Sequence, residues 1–434
     1  MSNRRGVWQP GCNLRNCLKH SRRKRHATVF RMAQNGTFNI LMYSHDTYGL
    51  GHIRRTMAIA SQLCSDGINI LILTGSPIAG RFAFPEQIDF VRIPGMIKKT
   101  NEEYRPLSIK INPRHALDIR KNIITATAKT FQPHLFIVDK EPLGLKKEVL
   151  PTLRWIRRCL PHARTILGLR DIMDDAETVR RDWWKKNVYE NLDKLYSEIW
   201  IYGNQEFYDP ITEYAIPESV KRKMLFTGYI PRQMPSDREA GRIRRELRVD
   251  PDEKLIVVTT GGGGDGFKVM DTYLAMLEKQ PLDSRIKSVL VTGPFMPKQE
   301  RKRLFKRARK VSAQTFLFYR RMEKLMAAAD LVVSMGGYNT LSEVVSQGTL
   351  SLVIPRETPR TEQLIRAKAF KKQGLIDYIP WNDFAAPLLR TKIEHLLANP
   401  ERYHDALAGF RFTGIDSMRR RIQAFRSKVN VAAC

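Results

Sequence analysis

The sequence lacks the features that would place it in a membrane-spanning or secreted class. None of its 434 residues lies in a run of 18 consecutive apolar residues, so no segment is long enough to span a bilayer. The basic N-terminus is not followed by an apolar stretch, which excludes a secretory signal. The five cysteines are scattered and odd in number, as expected for reduced thiols in a cytoplasm rather than a disulfide framework.

Acidic residues are scarce: 44 Asp and Glu stand against 74 Lys and Arg, giving a formal net charge of +30. Residues 1–36 hold nine of the cations and no acid, yet the remainder of the chain still carries +21. Such a charge favours phosphates, anionic lipid headgroups or nucleic acid. No helix-turn-helix, RNA-recognition aromatics or zinc knuckle is visible, so a specific nucleic-acid partner is not expected. The N-terminal cysteines and histidines match no zinc-site spacing.

From Phe38 onward, short β-branched runs such as "FNILMYS", "INILILTG" and "LFIVDK" alternate with stretches of helical periodicity. This alternation predicts parallel sheets covered by helices on both faces. A second series starts with "KLIVVTTGGGG", after a pause marked by Pro231 and Pro235. The sequence therefore predicts an α/β protein in which two Rossmann-like, doubly wound domains face a cleft. The expected boundaries are a basic, disordered extension (1–36), an N-terminal domain (37–230) and a C-terminal domain (231–434) whose last helices could cross back.

Ligands of open α/β sheets bind at the carboxyl ends of strands, where glycine turns lead into helix N-termini. The first such turn is "SHDTYGLGHIRRT", with Gly49, Gly51 and His52. Its glycines allow close backbone approach to a substrate, and His52 at the helix start could bind or deprotonate a hydroxyl. A tight turn with a surface histidine is the alternative.

The second turn is "TTGGGGDGFK", with four consecutive glycines at 261–264. It is not a P-loop, because Phe267 stands where that motif needs a lysine. Consecutive glycines indicate unusual backbone angles or close approach of a ligand. A turn that holds phosphate is expected, with a flexible hairpin as the alternative.

The third turn is "SMGGYNTLSE" (334–343), in which Gly336 and Gly337 follow a buried strand. A helix is predicted to start at Asn339 or Thr340, both good N-caps. Thr340 and Glu343 also have the spacing of a capping box. Glu343 is thus expected either to close that box or to accept hydrogen bonds from a sugar diol in the cleft.

In this order, the three turns and the downstream "PRETPRTEQLIRA" resemble the GT-B glycosyltransferases. Within them, the similarity is greatest to the MurG-like group of family 28, the N-acetylglucosaminyltransferases of peptidoglycan lipid-intermediate synthesis. "FTGYIPR" at the linker is similar to that group's "TGNPVR". The resemblance spans about residues 38–400. It is firm in the second domain and loose in the first, where "TYGLGH" departs from the group's GGxGGH.

The resemblance implies roles for individual residues. Glu343 would bind the ribose hydroxyls of a UDP-sugar donor, and Glu362 and Gln363 would contact the donor sugar. Gly51 and His52, with Gly49, would lie on the acceptor side, and His52, Asp139 or Asp171 would be the base. The diphosphate would face two backbone segments, formed by Gly262, Gly263, Gly264, Gly336, Gly337, Asn339 and Thr340.

The function implied is metal-independent transfer of a hexosyl or N-acetylhexosaminyl group from a UDP-type nucleotide sugar to an acceptor hydroxyl, with a lipid-linked acceptor as one option. No cofactor is expected. The basic charge fits an enzyme of the cytoplasm that binds the anionic inner membrane surface. The alternatives are a nucleotide-sugar epimerase or hydrolase of the same fold and a non-enzymatic protein that binds nucleic acid or membrane.

Overall fold

The computed structural model describes residues 37–45, 51–81, 84–98 and 104–433. The predicted extension at 1–36 and Gly49 lie outside these ranges. Within the described residues, no helix is both long enough and apolar enough to cross a membrane.

The N-terminal domain is built on a seven-stranded parallel sheet with a separate two-stranded antiparallel ribbon. Its strands are β1 (Phe38–Ser44), β2 (Ile68–Thr74), β3 (Ile88–Arg92), β4 (Met96–Lys98), β5 (Tyr104–Pro106), β6 (Leu135–Asp139), β7 (Arg164–Arg170), β8 (Glu198–Tyr202) and β9 (Met224–Phe226). Its helices are α1 (Gly51–Leu63), α2 (Pro113–Phe131), α3 (Leu150–Cys159), α4 (Ala176–Lys185), α5 (Val188–Leu195), α6 (Pro210–Glu213) and α7 (Glu218–Lys221).

The C-terminal domain has a six-stranded parallel sheet. Its strands are β10 (Lys254–Thr259), β11 (Ile286–Val291), β12 (Gln314–Phe316), β13 (Leu331–Ser334), β14 (Ser351–Val353) and β15 (Asp377–Tyr378). Its helices are α8 (Asp237–Glu246), α9 (Phe267–Lys279), α10 (Lys298–Lys310), α11 (Met322–Ala328), α12 (Tyr338–Ser346), α13 (Glu362–Lys372), α14 (Ala386–Ala398), α15 (Glu401–Gly409) and α16 (Gly414–Ala433).

Both sheets are wound in two directions from a central strand. The first has the order β3-β2-β1-β6-β7-β8-β9 and the second the order β12-β11-β10-β13-β14-β15. The central strands are apolar and buried on both faces, which is why their sequences show continuous runs rather than alternation. The two doubly wound domains predicted from the sequence are present.

The two domains share packing at the linker and at the last helix. The core beneath α1 continues through Tyr229 and Ile230 into the second domain. Helix α16 then packs against the N-terminal domain, where Arg419 donates to the backbone oxygen of Gln62 and Arg421 pairs with Glu198. The last helix of the C-terminal domain therefore packs back against the N-terminal domain.

Candidate functional site

The predicted glycine turns lie at the switch points of the two sheets, where ligands of open α/β sheets bind. In the first sheet the winding reverses between β1 and β6. Helix α1 follows β1, and Asp139 is the last residue of β6. In the second sheet the winding reverses between β10 and β13. Strand β10 leads into the 261–264 loop, and β13 leads into Gly336 and Gly337.

His52 and Asp139 form a hydrogen-bonded pair at the first switch point. His52 Nδ1 lies 2.5 Å from Asp139 Oδ2. Arg55, one turn further along α1, donates from Nε and Nη2 to Asp139 Oδ1 at 3.0 and 2.6 Å. Asp139 and Arg55 are buried, whereas the His52 side chain keeps 16% of its surface exposed.

These contacts fix the protonation of the pair. Burial acts to raise the pKa of Asp139, but Arg55 and His52 outweigh it and hold that pKa well below its usual range. Burial lowers the pKa of His52 to about 4, although the carboxylate of Asp139 acts in the opposite direction. At neutral pH the ionised carboxylate therefore accepts the Nδ1 proton of a neutral imidazole. Nε2 is left with a lone pair, as a general base requires.

A second buried network lies next to this pair. The carboxylate of Glu148 accepts from Tyr43 Oη at 2.5 Å and from Arg120. Because the Tyr43 proton goes to Glu148, the 3.3 Å contact between Tyr43 Oη and His45 Nδ1 is donated by His45. The His45 ring packs edge-on against His52 at 5.7 Å between centroids. His52 thus packs against His45, which belongs to a buried network whose hydrogen bonds are already made.

Asp171, the third candidate base, is in a different environment. It is fully buried, and its carboxylate accepts from the hydroxyl of Tyr229 and from the amide of Ile172. Its neighbours Asp174 and Asp175 are also engaged: Asp174 accepts from the amide of Thr361, and Asp175 caps α4. Through the contact of Asp174 with Thr361, this segment joins the domains. Burial raises the pKa of Asp171, and its role as a base stays a prediction.

The 261–264 loop is a tight turn between β10 and α9. Gly261 and Gly263 have φ angles of 64° and 87°, which favour glycine. A Cβ on Gly263 would lie 2.0 Å from the backbone oxygen of Thr292. Positions for Cβ atoms on Gly261 and on Gly337 are each 3.7 Å from Thr340 Oγ1. The loop therefore lies next to the start of α12, as the predicted phosphate site requires.

The predicted start of α12, the helix that follows the third glycine turn, was wrong. Helix α12 begins at Tyr338 with Gly337 as its N-cap, and no side chain caps it. Asn339 and Thr340 are already helical, so Thr340 and Glu343 do not form a capping box. The reason lies across the cleft: Asn339 Nδ2 donates to the backbone oxygen of Gly51 at 2.8 Å instead of capping its own helix.

Glu343 is buried among arginines. Its side chain is 2% exposed, and Oε1 lies 3.0 Å from Arg54 Nη2 and 3.4 Å from Arg232 Nε. Neither approach has hydrogen-bond geometry, so Oε1 accepts no hydrogen bond, and Arg232 Nε and Nη1 donate none. Arg232 Nη2 donates to Asn339 at 2.9 Å. Buried polar atoms without partners indicate a place for a ligand.

Glu362 and Gln363, the other predicted donor residues, lie at the start of α13. Both are buried, and both bind Arg356: Nη2 pairs with Glu362 at 2.9 Å, and the amide donates to Gln363 Oε1 at 3.3 Å. Arg356 also pairs with Asp265 of the glycine loop at 3.1 Å. Gly336 packs against the backbone of Gln363. The three predicted donor segments, 262–264, 336–343 and 362–363, thus lie next to one another.

Sequence reasoning missed Arg54, Arg55 and Tyr338. Arg55 lies with its guanidinium 5.8 Å from the ring centroid of Tyr202 and 5.6 Å from that of Tyr338. The signal was present in "GHIRRT", because residues three apart on a helix share a face. Among the described residues, no group of three His, Cys, Asp or Glu side chains could hold a metal ion.

Solved glycosyltransferase structures share this architecture. The chain aligns with the glycotransferase of kitacinnamycin with a TM-score of 0.57 and 13% identity, over 90% of this chain and 99% of the other. For Acinetobacter baumannii MurG the values are 0.55 and 14%, over 89% and 99%. For a UDP-glucosyltransferase from Polygonum tinctorium they are 0.60 and 11%, over 91% and 99%. The fold is GT-B, as predicted.

At the level of sequence, residues 255–415 match the model of the glycosyltransferase family 28 C-terminal domain. Curated relatives include the UDP-N-acetylglucosamine--N-acetylmuramyl-(pentapeptide) pyrophosphoryl-undecaprenol N-acetylglucosamine transferases of Streptococcus sanguinis (strain SK36) and Streptococcus pneumoniae (strain Hungary19A-6). The first is 30% identical over 164 residues, 37% of this chain and 44% of that protein. The second is 32% identical over 160 residues, 36% and 43%. The chain spans less than half the length of these relatives, and the predicted resemblance is confirmed for this divergent second domain.

The glycine loop generates a stability prediction. Gly263→Ala places a methyl group against the Thr292 carbonyl at a positive φ, so it should lower the free energy of unfolding by about 1–3 kcal/mol or more. Thermal denaturation followed by circular dichroism measures this. Gly409→Ala is the matched control, because nothing lies within 4 Å of its Cβ position. Equal melting temperatures for both variants would contradict the tight packing of this loop.

Proposed function

We propose that the protein is a glycosyltransferase that moves a hexosyl or N-acetylhexosaminyl group from a UDP-type nucleotide sugar to an acceptor hydroxyl. The observation that carries this proposal is the pair of His52 and Asp139 on one side of a cleft whose other side matches a glycosyltransferase domain. The relatives' names supply the UDP-sugar and the pyrophosphoryl-undecaprenol acceptor as the chemical classes to test.

The donor is proposed to bind along the start of α12. Glu343 would accept the ribose hydroxyls, while Glu362 and Gln363 would contact the sugar. The diphosphate would lie near Gly262, Gly263, Gly264, Gly336, Gly337, Asn339 and Thr340. Three features support this: α12 has no side-chain cap, Thr340 of its first turn lies next to the glycine loop, and Arg232 carries unsatisfied donors beside it. Backbone amides and a helix dipole stabilise anions without a metal ion.

The proposed chemistry is a single displacement at the anomeric carbon. His52 Nε2 takes the proton of the acceptor hydroxyl as its oxygen bonds to that carbon, and the bond to the diphosphate oxygen breaks. Asp139 stabilises the imidazolium that forms, and Arg55 holds Asp139 in place. Negative charge then grows on the leaving diphosphate, where fixed amides and cations stabilise it most. A hydrolase of the same fold would use the same base on water.

A membrane-linked acceptor is supported by an exposed apolar segment of the N-terminal domain. Leu107, Ile109, Ile111 and Ile119 are each 37–45% exposed, and they follow the ribbon of β4 and β5. The exposed cations Lys110 and Arg114 lie within this segment. Apolar side chains flanked by cations bind anionic bilayer surfaces. We therefore propose a cytoplasmic enzyme that works on the inner membrane face.

The donor assignment is tested by thermal shift with UDP, other nucleoside diphosphates and UDP-sugars, followed by product analysis. UDP should raise the melting temperature selectively, and Glu343→Gln should weaken UDP binding about tenfold because a charged hydrogen-bond acceptor is lost. Transfer should survive EDTA if the site is metal-independent. No shift with any nucleotide would contradict the proposal, and release of free sugar without transfer would assign a hydrolase.

The base is tested by His52→Gln and Asp139→Asn. Each should lower kcat by about 10²–10⁴-fold, the usual contribution of general base catalysis, with little change in donor KM. His404→Gln is the matched control, because that side chain is 80% exposed. Wild-type activity in either site variant would contradict the assigned role.

The pH profile of the wild type is a further readout of the same base. Because the pKa of His52 is lowered to about 4, kcat/KM should be flat from pH 8 to about 5 and fall toward pH 4. Between about pH 6.5 and pH 4 an unfolded chain binds this proton while the folded chain does not, so the free energy of unfolding also falls over that range. Circular dichroism at each pH separates the two effects. If kcat/KM instead fell with an apparent pKa near 6.5, that result would contradict the buried state of this imidazole.

Membrane binding is tested with sedimented vesicles. The double variant Ile109→Glu with Ile111→Glu should bind phosphatidylglycerol vesicles several-fold more weakly at low salt. Two apolar contacts with the bilayer are lost, and two negative charges, which the anionic lipid repels, are gained. Leu388→Glu on α14, which is 37% exposed, is the matched control. Equal binding of all three proteins would show that this segment does not contact lipid.

A further inference from the structure

The first turn of α1 lies against the first turn of α12. Gly51 accepts a hydrogen bond from Asn339, and three residues along α1 Arg54 reaches Glu343, four residues along α12. The N-terminal domain therefore covers the stretch of α12 where the donor nucleotide is proposed to bind. The buried Oε1 of Glu343 and the Nε and Nη1 of Arg232, whose side chains are 2% and 9% exposed, have no hydrogen-bond partners there.

The side chains of Arg54 and its neighbour Arg55 have ion-pair partners in different domains. Arg55 is bound within its own domain, by the carboxylate of Asp139. Among the residues that the structure describes, the ion-pair partners of Arg54 are glutamates of the other domain: Nη2 lies 3.0 Å from Glu343 and 4.0 Å from Glu323. Its side chain keeps 26% of its surface exposed. Arg54 is thus a cation of the acceptor domain that reaches across the cleft to the donor site.

We propose that Arg54 is a donor-binding residue supplied by the acceptor domain and that it binds the diphosphate of the nucleotide. The inference rests on the proposed function, because it takes the ribose to be the ligand of Glu343. When the ribose hydroxyls occupy that carboxylate, Arg54 loses its partner there and turns to the phosphates next to it.

Charge accounting supports this exchange. Glu343 faces two guanidinium groups, those of Arg54 and Arg232. The second carboxylate near Arg54, that of Glu323, is more distant at 4.0 Å and lies outside this cluster. A ribose is neutral and leaves Arg232 to balance the carboxylate. The charge of Arg54 is then free for the diphosphate, to which a guanidinium can donate two parallel hydrogen bonds. A contact that strengthens as the diphosphate leaves would also stabilise the transition state.

The test compares uridine with UDP, which differ only in the diphosphate, by isothermal titration calorimetry. In Arg54→Ala, uridine should bind as well as or better than in the wild type, because a competitor for Glu343 is gone. UDP should bind about tenfold or more weakly, because a charged pair of hydrogen bonds is lost. Arg54→Lys should recover part of the UDP affinity, since it restores the charge without the planar fork.

Arg421→Ala is the matched control, because it removes an arginine that also joins the domains, through Glu198, but on α16. Its affinities should equal those of the wild type. If Arg54→Ala bound uridine and UDP more tightly by the same factor, Arg54 would only block the site. If both affinities were unchanged, Arg54 would make a structural contact only. Either result overturns the inference. A wild-type protein that binds neither uridine nor UDP would overturn the proposed function and this inference with it.

Discussion

The buried ion pair between Arg55 and Asp139 determines how the rest of the cleft is organised. Because the guanidinium donates three hydrogen bonds to the carboxylate, Asp139 stays ionised in a buried site and fixes the tautomer of His52. The same guanidinium lies over Tyr338, the first residue of α12 in the other domain. Removing one partner would leave an uncompensated buried charge, at a cost of about 3–5 kcal/mol. This one ion pair thus links His52 and α1 of the N-terminal domain to α12 of the C-terminal domain.

The arrangement concentrates several roles on a single turn of helix. Gly51 admits Asn339 closely, His52 presents the base, Arg54 crosses to Glu343 and Arg55 holds Asp139. This is possible because α1 starts at the switch point of its sheet and faces the switch point of the second sheet. Residues three apart on a helix share a face, so Arg55 joins His52, while Arg54 is rotated by about 100° toward α12.

The sequence was sufficient for the fold, because buried parallel strands and amphipathic helices leave periodic patterns that are local. The switch-point glycines could be found for the same reason: Gly261 and Gly336 are each the second residue after the end of a strand. The cross-domain contacts could not be predicted, since Thr340 and Glu343 fit a capping box equally well in isolation. Only the approach of Gly51 explains why Asn339 is drawn into the helix and the box is not formed. Long-range contacts of this kind have no local signature.

If Glu343 binds the donor as proposed, its burial requires the cleft to open before a nucleotide enters. The contacts that close it near the site are mostly polar and include those of Gly51 with Asn339, of Arg54 with Glu343 and of Asp174 with Thr361. At the opposite end of α1, Gln62 is bound by Arg419 of α16, eleven residues and about 16 Å from Gly51. A ligand can replace the polar contacts, whereas the packed joint at α16 and Tyr229 offers it nothing to replace. Opening about that joint would therefore separate the helix starts while the domains remain attached.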